Sequence, residues 1–148
     1  MAEQPPALLT KSFELGYTYT RSTGPVIGSF LTELREGRIT GTRTTDGRVL
    51  VPAAEFDPVS AEALRESVPV AEEGVVSTWC WVHQPTSHHL QQRPFAFALV
   101  RLDGADTSML HMVDAGSESA MRSGMRVRAR WAAERRGSIT DIACFEPV

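Results

Sequence analysis

The spacing of apolar residues separates a helical segment from the rest of the chain. From Val26 to Leu34, apolar residues recur three and four positions apart, which places them on one face of a helix. Pro25 suits its first turn and Gly37 its end. We interpret residues 1–38 as an N-terminal arm followed by this helix. So small a domain is not expected to bury all the apolar residues of this helix, so they are candidates for docking a partner. These residues are Val26, Phe30, Leu31 and Leu34. Packing onto the rest of the domain is the alternative.

Residues 39–70 predict a small β-hairpin followed by a linker. Two β-compatible runs flank Asp46 and Gly47, a pair typical of a type I′ turn, because that turn needs positive φ at both central positions. The hairpin is expected to span residues 39–52. The stretch 57–70 is expected to be a connection with one helical turn, since prolines bracket it.

Residues 71–148 have the apolar pattern of β-strands. We expect five strands, at residues 74–83, 95–102, 108–115, 125–134 and 138–145. One long irregular connection, from Gln84 to Pro94, separates the first two. This pattern fits a small closed barrel of the OB type, with a two-sheet sandwich as the competing architecture. The predicted fold class is mainly β, with an N-terminal helical arm, a small hairpin and a C-terminal five-stranded OB-fold barrel.

Composition narrows the class of protein. A length of 148 residues fits one compact domain, and 42% hydrophobic with 22% charged residues is typical of a globular protein. The net charge of −3 lacks the cationic excess that nonspecific nucleic-acid binding uses. No apolar run approaches the roughly 20 residues of a membrane helix, and the N-terminal residues do not resemble a signal peptide. We therefore expect a cytoplasmic protein.

No sequence motif predicts a self-sufficient active site. The chain contains no GxSxG, P-loop or GxGxxG sequence, so no residue is assigned a catalytic role. Cys80 and Cys144 are too few for a four-thiolate zinc site. We interpret them as two reduced, buried thiols, with one disulfide as the alternative. Cys80, which lies between two tryptophans in a predicted strand, is interpreted as a small core residue.

Two neighbouring histidines are candidates for binding. His88 and His89 lie in the long connection, either as part of a metal site or on a mobile loop that reaches a ligand or a partner's composite active site. No third metal ligand has a recognisable spacing, which favours the loop interpretation.

Three arginines form a basic stripe on one predicted strand. Because side chains alternate along a strand, Arg126, Arg128 and Arg130 lie on one face. Three interpretations of this face are open: a solvated surface, a nucleic-acid surface, or a site for an acidic ligand or partner. Trp131 falls on the opposite face, so it is not placed to stack a base beside them. The solvated surface is the favoured interpretation.

Seven short blocks follow one another along the chain: LREGRITG, GTRTTDGRVLVP, GVVSTW, PFAFALVRLDGAD, LHMVD, SGMRVRARW and DIACFEP. Their order and spacing, from about residue 13 to 148, resemble the domain of unknown function 35 (DUF35) family. The resemblance implies an N-terminal helical arm, a zinc-ribbon hairpin and a C-terminal OB fold. It also implies association with thiolase-like enzymes of acyl-CoA metabolism.

The hairpin departs from the family pattern at the positions that bind zinc in many members. Those members carry two cysteine pairs, whereas the corresponding positions here hold Thr44 and Asp46 and, further on, Asp57. No thiolate remains to hold the metal. We therefore expect a degenerate zinc ribbon without zinc and no cofactor in this chain. A coenzyme A thioester would be a ligand of the complex.

The chain looks most like the branch of the family that partners lipid-transfer-type, thiolase-like aldolases in bacterial steroid side-chain degradation. In that branch the partner cleaves an acyl-CoA side chain by a retro-aldol reaction. The resemblance implies a noncatalytic subunit that docks and stabilises the aldolase, in a heterotetramer, and helps to shape its acyl-CoA site. No nucleic acid or membrane is expected as a partner. The alternatives are a single-stranded nucleic-acid-binding OB domain and an accessory subunit of another acyl-CoA thiolase or hydratase complex.

The resemblance also suggests residues for the acyl-CoA site. In relatives the hairpin lies near the partner's coenzyme A entrance. Arg43 and Arg48, with the apolar Val51 and Pro52, are therefore candidates for framing the acyl-CoA channel. Ordinary hairpin surface is the alternative.

Overall fold

The computed structural model describes residues 10–148. Within that range the chain forms one α-helix, eight β-strands and two short 3-10 helices, and residues 10–24 have no regular structure. The helix and strands are α1 (Pro25–Arg35), β1 (Thr40–Arg43), β2 (Val49–Leu50), β3 (Glu66–Pro69), β4 (Glu73–Val82), β5 (Phe95–Leu102), β6 (Met109–Val113), β7 (Arg126–Trp131) and β8 (Ile142–Pro147). No helix in the described range has the length and hydropathy to span a membrane.

Strands β4 to β8 form a closed barrel in the order β4-β5-β6-β8-β7. Neighbouring strands are antiparallel except β6 and β8, which run parallel and are joined by a single residue pair, Val113 with Phe145. This is the architecture of an OB fold, so the predicted mainly β class with a five-stranded barrel is confirmed. β5 occupies the predicted residues 95–102.

A second sheet places β2 and β3 on either side of β1. β1 and β2 form the predicted hairpin, but β3 lies in the stretch expected to hold a helical turn. All four β3 residues pair with Thr40–Arg43. One such turn is present, since the Ala61 N–H donates to the Asp57 carbonyl at 2.9 Å, but the strand after it was missed because Pro69 was taken as a break. A proline is tolerated at the end of an edge strand, where no partner needs its N–H.

The turn between β1 and β2 differs from the predicted two-residue type. Of its residues only Gly47 has a positive φ, +91°. The Thr44 N–H donates to the Arg48 carbonyl at 2.8 Å, and the Gly47 N–H donates to the Thr44 carbonyl at 3.0 Å. The loop therefore has three residues, in which Thr45 and Asp46 form an ordinary turn and Gly47 supplies the left-handed residue that closes it.

The last strand begins at Ile142 rather than at residue 138 as predicted. A 3-10 turn, Ile139–Asp141, precedes it, because the Asp141 carboxylate accepts hydrogen bonds of 2.7 to 3.1 Å from the consecutive N–H groups of residues 136–138. Burial by itself raises the pKa of Asp141, but these three donors hold that pKa below its usual value. The ionised carboxylate thus closes the loop before β8.

One hydrophobic core runs through all three segments of the chain. Phe30 and Leu34 of α1 and Val49 and Val51 around β2 belong to the same buried cluster as the interior residues of the barrel. The helix and the hairpin are therefore packed onto the barrel as parts of a single core.

Two distant side chains hold the ends of α1. The Glu55 carboxylate accepts hydrogen bonds from the N–H groups of Val26 and Ile27, at 2.8 and 3.0 Å, and so caps the positive end of the helix dipole. At the other end, the Arg135 guanidinium donates to the Arg35 carbonyl at 2.9 Å. These contacts connect the helix to the hairpin on one side and to the β7–β8 connection on the other.

Candidate binding face on the barrel

The outer face of β5 and β6 presents a row of apolar side chains. Leu99 pairs directly with Leu110, and Phe97 with Met112, so all four point to the same side of the sheet. Leu110 is 64% exposed and Leu99 37%, whereas Phe97 is half-buried and Met112 is 6% exposed. In OB folds the face of the second and third barrel strands, with its two flanking loops, is where ligands bind. We call this surface the binding face.

The first loop beside the binding face, residues 84–94, carries both predicted histidines, and we call it the histidine loop. It closes on itself where the His89 N–H donates to the Thr86 carbonyl at 3.0 Å. The His89 ring packs edge-on against Phe95 and Phe97, with ring centroids 5.3 and 5.9 Å apart. His89 therefore holds the loop against the barrel.

The imidazole of His89 has a defined tautomer. The backbone N–H of Thr86 donates to its Nδ1 at 2.9 Å. Nδ1 must then carry a lone pair, so the proton of the neutral ring is on Nε2. Among the described residues Nε2 has no hydrogen-bond partner, so this N–H can donate to a ligand. His88 beside it is exposed.

A groove of about 230 Å³ lies between the histidine loop and the 3-10 turn before β8. Its apolar lining includes Leu90, Phe97, Leu110 and Ile139, and three imidazoles complete the wall. Past Leu90 the groove opens into a wider depression of about 780 Å³. The histidine loop and the β7–β8 connection thus form the two sides of one concave surface.

The cationic groups at the wide end are compensated within the chain. Arg93 and Arg130 both donate to the buried carboxylate of Asp114. Arg130 also lies 3.4 Å from Glu146. Two carboxylates therefore offset most of the positive charge that two arginines would give to this end of the surface.

The third imidazole belongs to His111, which is buried in the gap where β6 and β8 diverge. Its ring packs edge-on against Phe145, with centroids 5.5 Å apart, and its Nε2 lies 3.4 Å from the Ile139 carbonyl. Burial lowers the pKa of His111 below its usual value, only partly opposed by hydrogen bonds to backbone carbonyls. The ring is therefore neutral at pH 7.

The arginines of the hairpin are paired inside the chain. Arg48 contacts Asp46 at 2.8 Å and Asp57 at 3.1 Å, and Arg43 contacts Glu66 at 2.9 Å. Of these carboxylates, that of Asp57 is almost fully buried. A phosphate would have to compete with these carboxylates for either guanidinium.

Val51 and Pro52 were predicted to be the apolar residues that frame the acyl-CoA channel, and the structure corrects this prediction at Val51. Val51 is 2% exposed and belongs to the core, so it offers no surface to a ligand. Its side chain points inward because the hairpin packs on the barrel through this edge. Pro52, the next residue, is exposed.

The positions that correspond to zinc ligands in relatives now surround a guanidinium. Arg48 bridges Asp46 and Asp57, and the Thr44 hydroxyl donates to Asp46. Hydrogen bonds from Thr44 and then Arg48 lower the pKa of Asp46, and the Val59 N–H followed by Arg48 lowers that of Asp57. Within residues 10–148, no group of three His, Cys, Asp or Glu side chains is placed to hold a metal ion.

The predicted docking face of the helix is corrected. Phe30 is 3% and Leu34 0% exposed, because both side chains enter the shared core, and Val26 and Leu31 are half-buried. The alternative interpretation, packing onto the barrel, is right for the two buried residues. They cannot contact a partner while the chain is folded.

The basic stripe of β7 is exposed but neutralised. Arg126 pairs with Asp103 and Glu73 at 2.7 and 3.0 Å, and Arg128 pairs with Glu146 at 3.3 Å. Trp131 packs against the core. The stripe therefore offers neither free charge nor a stacking surface of the kind that single-stranded nucleic acids use.

The two cysteines differ in exposure, and neither is in a disulfide. Cys144 is buried, and burial raises the pKa of its thiol. Cys80 is exposed, so the interpretation of this residue as a core side chain was wrong. A bulge between Val76 and Thr78 reverses the side to which the later β4 residues point.

Sequence reasoning placed the histidine loop but missed the surface that it borders. The available signal was that β5 and β6 are apolar on both faces, at positions such as Phe97, Leu99 and Leu110. Strands with one solvated face usually alternate with polar residues. An apolar outer row was therefore the available sequence signal for this face.

Comparisons with known proteins agree with this architecture. Residues 67–132 match the family model described as ChsH2, C-terminal OB-fold domain. The chain is similar to a DUF35-family protein of unknown function from Sulfolobus solfataricus, at 17% identity and a TM-score of 0.59, over 77% of this chain and 80% of that one. It is also similar to a structure described as Ltp2-ChsH2(DUF35) aldolase, at 17% identity and a TM-score of 0.64, over 86% and 98%. Curated sequences give no significant match.

These similarities test the resemblance to the DUF35 family that the seven sequence blocks predicted. The family match covers the start of β3 to just past β7, and the structural similarities extend to most of the chain. The resemblance to DUF35 proteins is thereby confirmed, and residues 67–132 are similar to the C-terminal OB-fold domain of ChsH2.

Proposed function

We propose that this chain is a noncatalytic partner subunit that docks a thiolase-like aldolase through the binding face. The observation that carries the proposal is the exposed apolar pair Leu99 and Leu110, at the site where OB folds bind their ligands. The likeness to the Ltp2-ChsH2(DUF35) aldolase supports the class of partner.

The composition of the binding face fits a protein interface. Leu90 and Leu110 are 61% and 64% exposed, so the separated chain leaves large aliphatic surfaces in water. Arg93 and Arg130 stand at the edge of the same surface with their carboxylate partner. An apolar centre with a polar, ion-paired rim is the usual arrangement of an interface.

The finer assignments extend this proposal. We assign the chemistry, a retro-aldol cleavage of a steroid side-chain acyl-CoA, to the partner, and we expect a heterotetramer in which this chain stabilises the aldolase. In the hairpin, the half-buried Arg43 and the exposed Pro52 remain candidates for the rim of the acyl-CoA channel. Arg43 could exchange its exposed partner Glu66 for a phosphate at small cost, because exposed ion pairs contribute little.

The test is co-expression with the thiolase-like protein encoded nearest to this chain. We expect one complex on size-exclusion chromatography and acyl-CoA cleavage only when both proteins are present. The double variant Leu90→Glu, Leu110→Glu should abolish the complex, because it places two carboxylates in the apolar centre. Val59→Glu is the matched control, since Val59 is 79% exposed on the β2–β3 connection. Separate elution of the two wild-type proteins would overturn the proposal.

A further inference from the structure

The groove beside the histidine loop contains one oriented hydrogen-bond donor in an apolar setting. The Thr86 N–H donates to His89 Nδ1 at 2.9 Å, which leaves the proton on Nε2, and no acceptor within residues 10–148 receives it. The ring cannot easily turn away, since Phe95 and Phe97 pack against it at 5.3 and 5.9 Å. A donor held in this way needs no reorganisation to bind an acceptor atom.

Among the described residues, no Asp, Glu, Lys or Arg side chain lines the groove. Leu90, Leu110 and Ile139 supply aliphatic surface, and Phe97 supplies an aromatic ring. The buried His111 is neutral at pH 7 for the reason given above. The lining therefore favours an uncharged molecule, because an ion placed here would lose its hydration without gaining a counter-ion.

The neighbouring cations do not change this preference. Arg93 and Arg130 lie in the wider depression past Leu90, and both are already bonded to the buried Asp114 carboxylate. An anionic ligand would have to break these pairs and leave Asp114 buried without a partner, which is costly.

The size of the groove limits the ligand. Its volume of about 230 Å³ is below the range of about 300 to 1,000 Å³ that is usual for drug-sized ligands. A single ring, or a short branched end of a larger molecule, fits this space.

We propose that the groove is a binding site for a compact, uncharged apolar group that carries a carbonyl oxygen, with His89 Nε2–H as the donor to that oxygen. The site belongs to the isolated chain and does not depend on a docked aldolase. A partner seated on the binding face would close the groove from above and deepen the site.

The test uses the full chain alone with three probes of the same ring size: cyclohexanone, methylcyclohexane and cyclohexanecarboxylate. Nitrogen-15 NMR of labelled histidine reports the ring of His89 directly. We expect cyclohexanone to shift the His89 Nε2 resonance in a saturable manner, and cyclohexanecarboxylate to bind more weakly. No saturable shift with the ketone, or tighter binding of the carboxylate, would overturn the proposal.

Two matched variants separate the donor from the apolar wall. His89→Phe keeps a ring against Phe95 and Phe97 but removes the donor. We expect it to weaken cyclohexanone binding about three- to tenfold, the range of one neutral hydrogen bond, and to leave methylcyclohexane binding within about twofold. His83→Phe, at an exposed histidine outside the groove lining, should leave ketone binding unchanged. Equal ketone affinities for wild type and His89→Phe would contradict the role of His89.

Discussion

Two leucines with opposite burial separate the core of this protein from its proposed interface. Leu34 of α1 is 0% exposed, and Leu110 on the binding face is 64% exposed. Substituting each with alanine removes the same atoms from different surroundings. The sequence pattern suggested the helix as the docking face, so this pair tests the correction directly.

The expected cost of Leu34→Ala follows from its burial. The side chain loses its transfer free energy and leaves a cavity, together about 3 kcal/mol within a usual range of about 2 to 5 kcal/mol. For a chain of this length each kcal/mol lowers the Tm by about 3 °C, so the Tm should fall by about 9 °C. Leu110→Ala should change stability by less than about 0.5 kcal/mol, because the side chain is mostly in water already.

Binding to the aldolase should show the reverse order. Leu110→Ala removes aliphatic surface that the partner would bury, so affinity should fall about 5- to 30-fold. Leu34→Ala should bind normally at a temperature where it is folded. Calorimetry measures the first property and titration of the purified partner the second. If Leu34→Ala weakens binding of the folded chain while Leu110→Ala does not, the assignment of core and interface is wrong.

Three further predictions concern titration, pairing and close packing. Burial lowers the pKa of His111 below its usual value of about 6.5, so the unfolded chain takes up the proton first and the free energy of unfolding falls as the pH drops below that value. Between pH 7.5 and 5.5, urea unfolding should show a smaller loss of stability for His111→Gln than for wild type. Equal losses would refute this prediction. Arg48→Met should lower the Tm because it leaves the buried Asp57 carboxylate without its ion pair, and adding Asp57→Asn should restore part of the Tm. A double variant whose Tm is no higher than that of Arg48→Met would exclude the pairing. Gly74→Ala should destabilise the barrel, since the added Cβ would lie 2.3 Å from a backbone oxygen of β5. Gly16→Ala is the control, because its Cβ would meet no atom within 4 Å. Similar melting curves for the two variants would contradict the close approach of β4 and β5 at Gly74.

The sequence predicted the barrel well because its strands carry local signals. The run at residues 95–102 is bounded by a proline and a tight turn, and its length of 8 residues is typical of a strand. The helix was predicted for the same reason, through its spacing.

The candidate site was predicted only in part, because its geometry depends on side-chain packing and on backbone irregularities that the apolar pattern does not record. The histidine loop could be located, but the orientation of His89 depends on Thr86 and on two rings of the following strand. The exposure of Cys80 depends on a bulge, and the burial of Phe30 depends on how α1 lies on the barrel. None of these is encoded in a local pattern.

The two clamps on α1 have a consequence for folding. Glu55 holds one end of the helix, and Arg135, exactly 100 residues after Arg35, holds the other. The barrel itself closes only when β8 arrives, after the end of the segment that matches the family model. Such high contact order predicts slow, cooperative folding in which no part is stable early. A fragment limited to residues 67–132 should therefore remain unfolded, since it lacks the strand, the helix and the core residues that complete it.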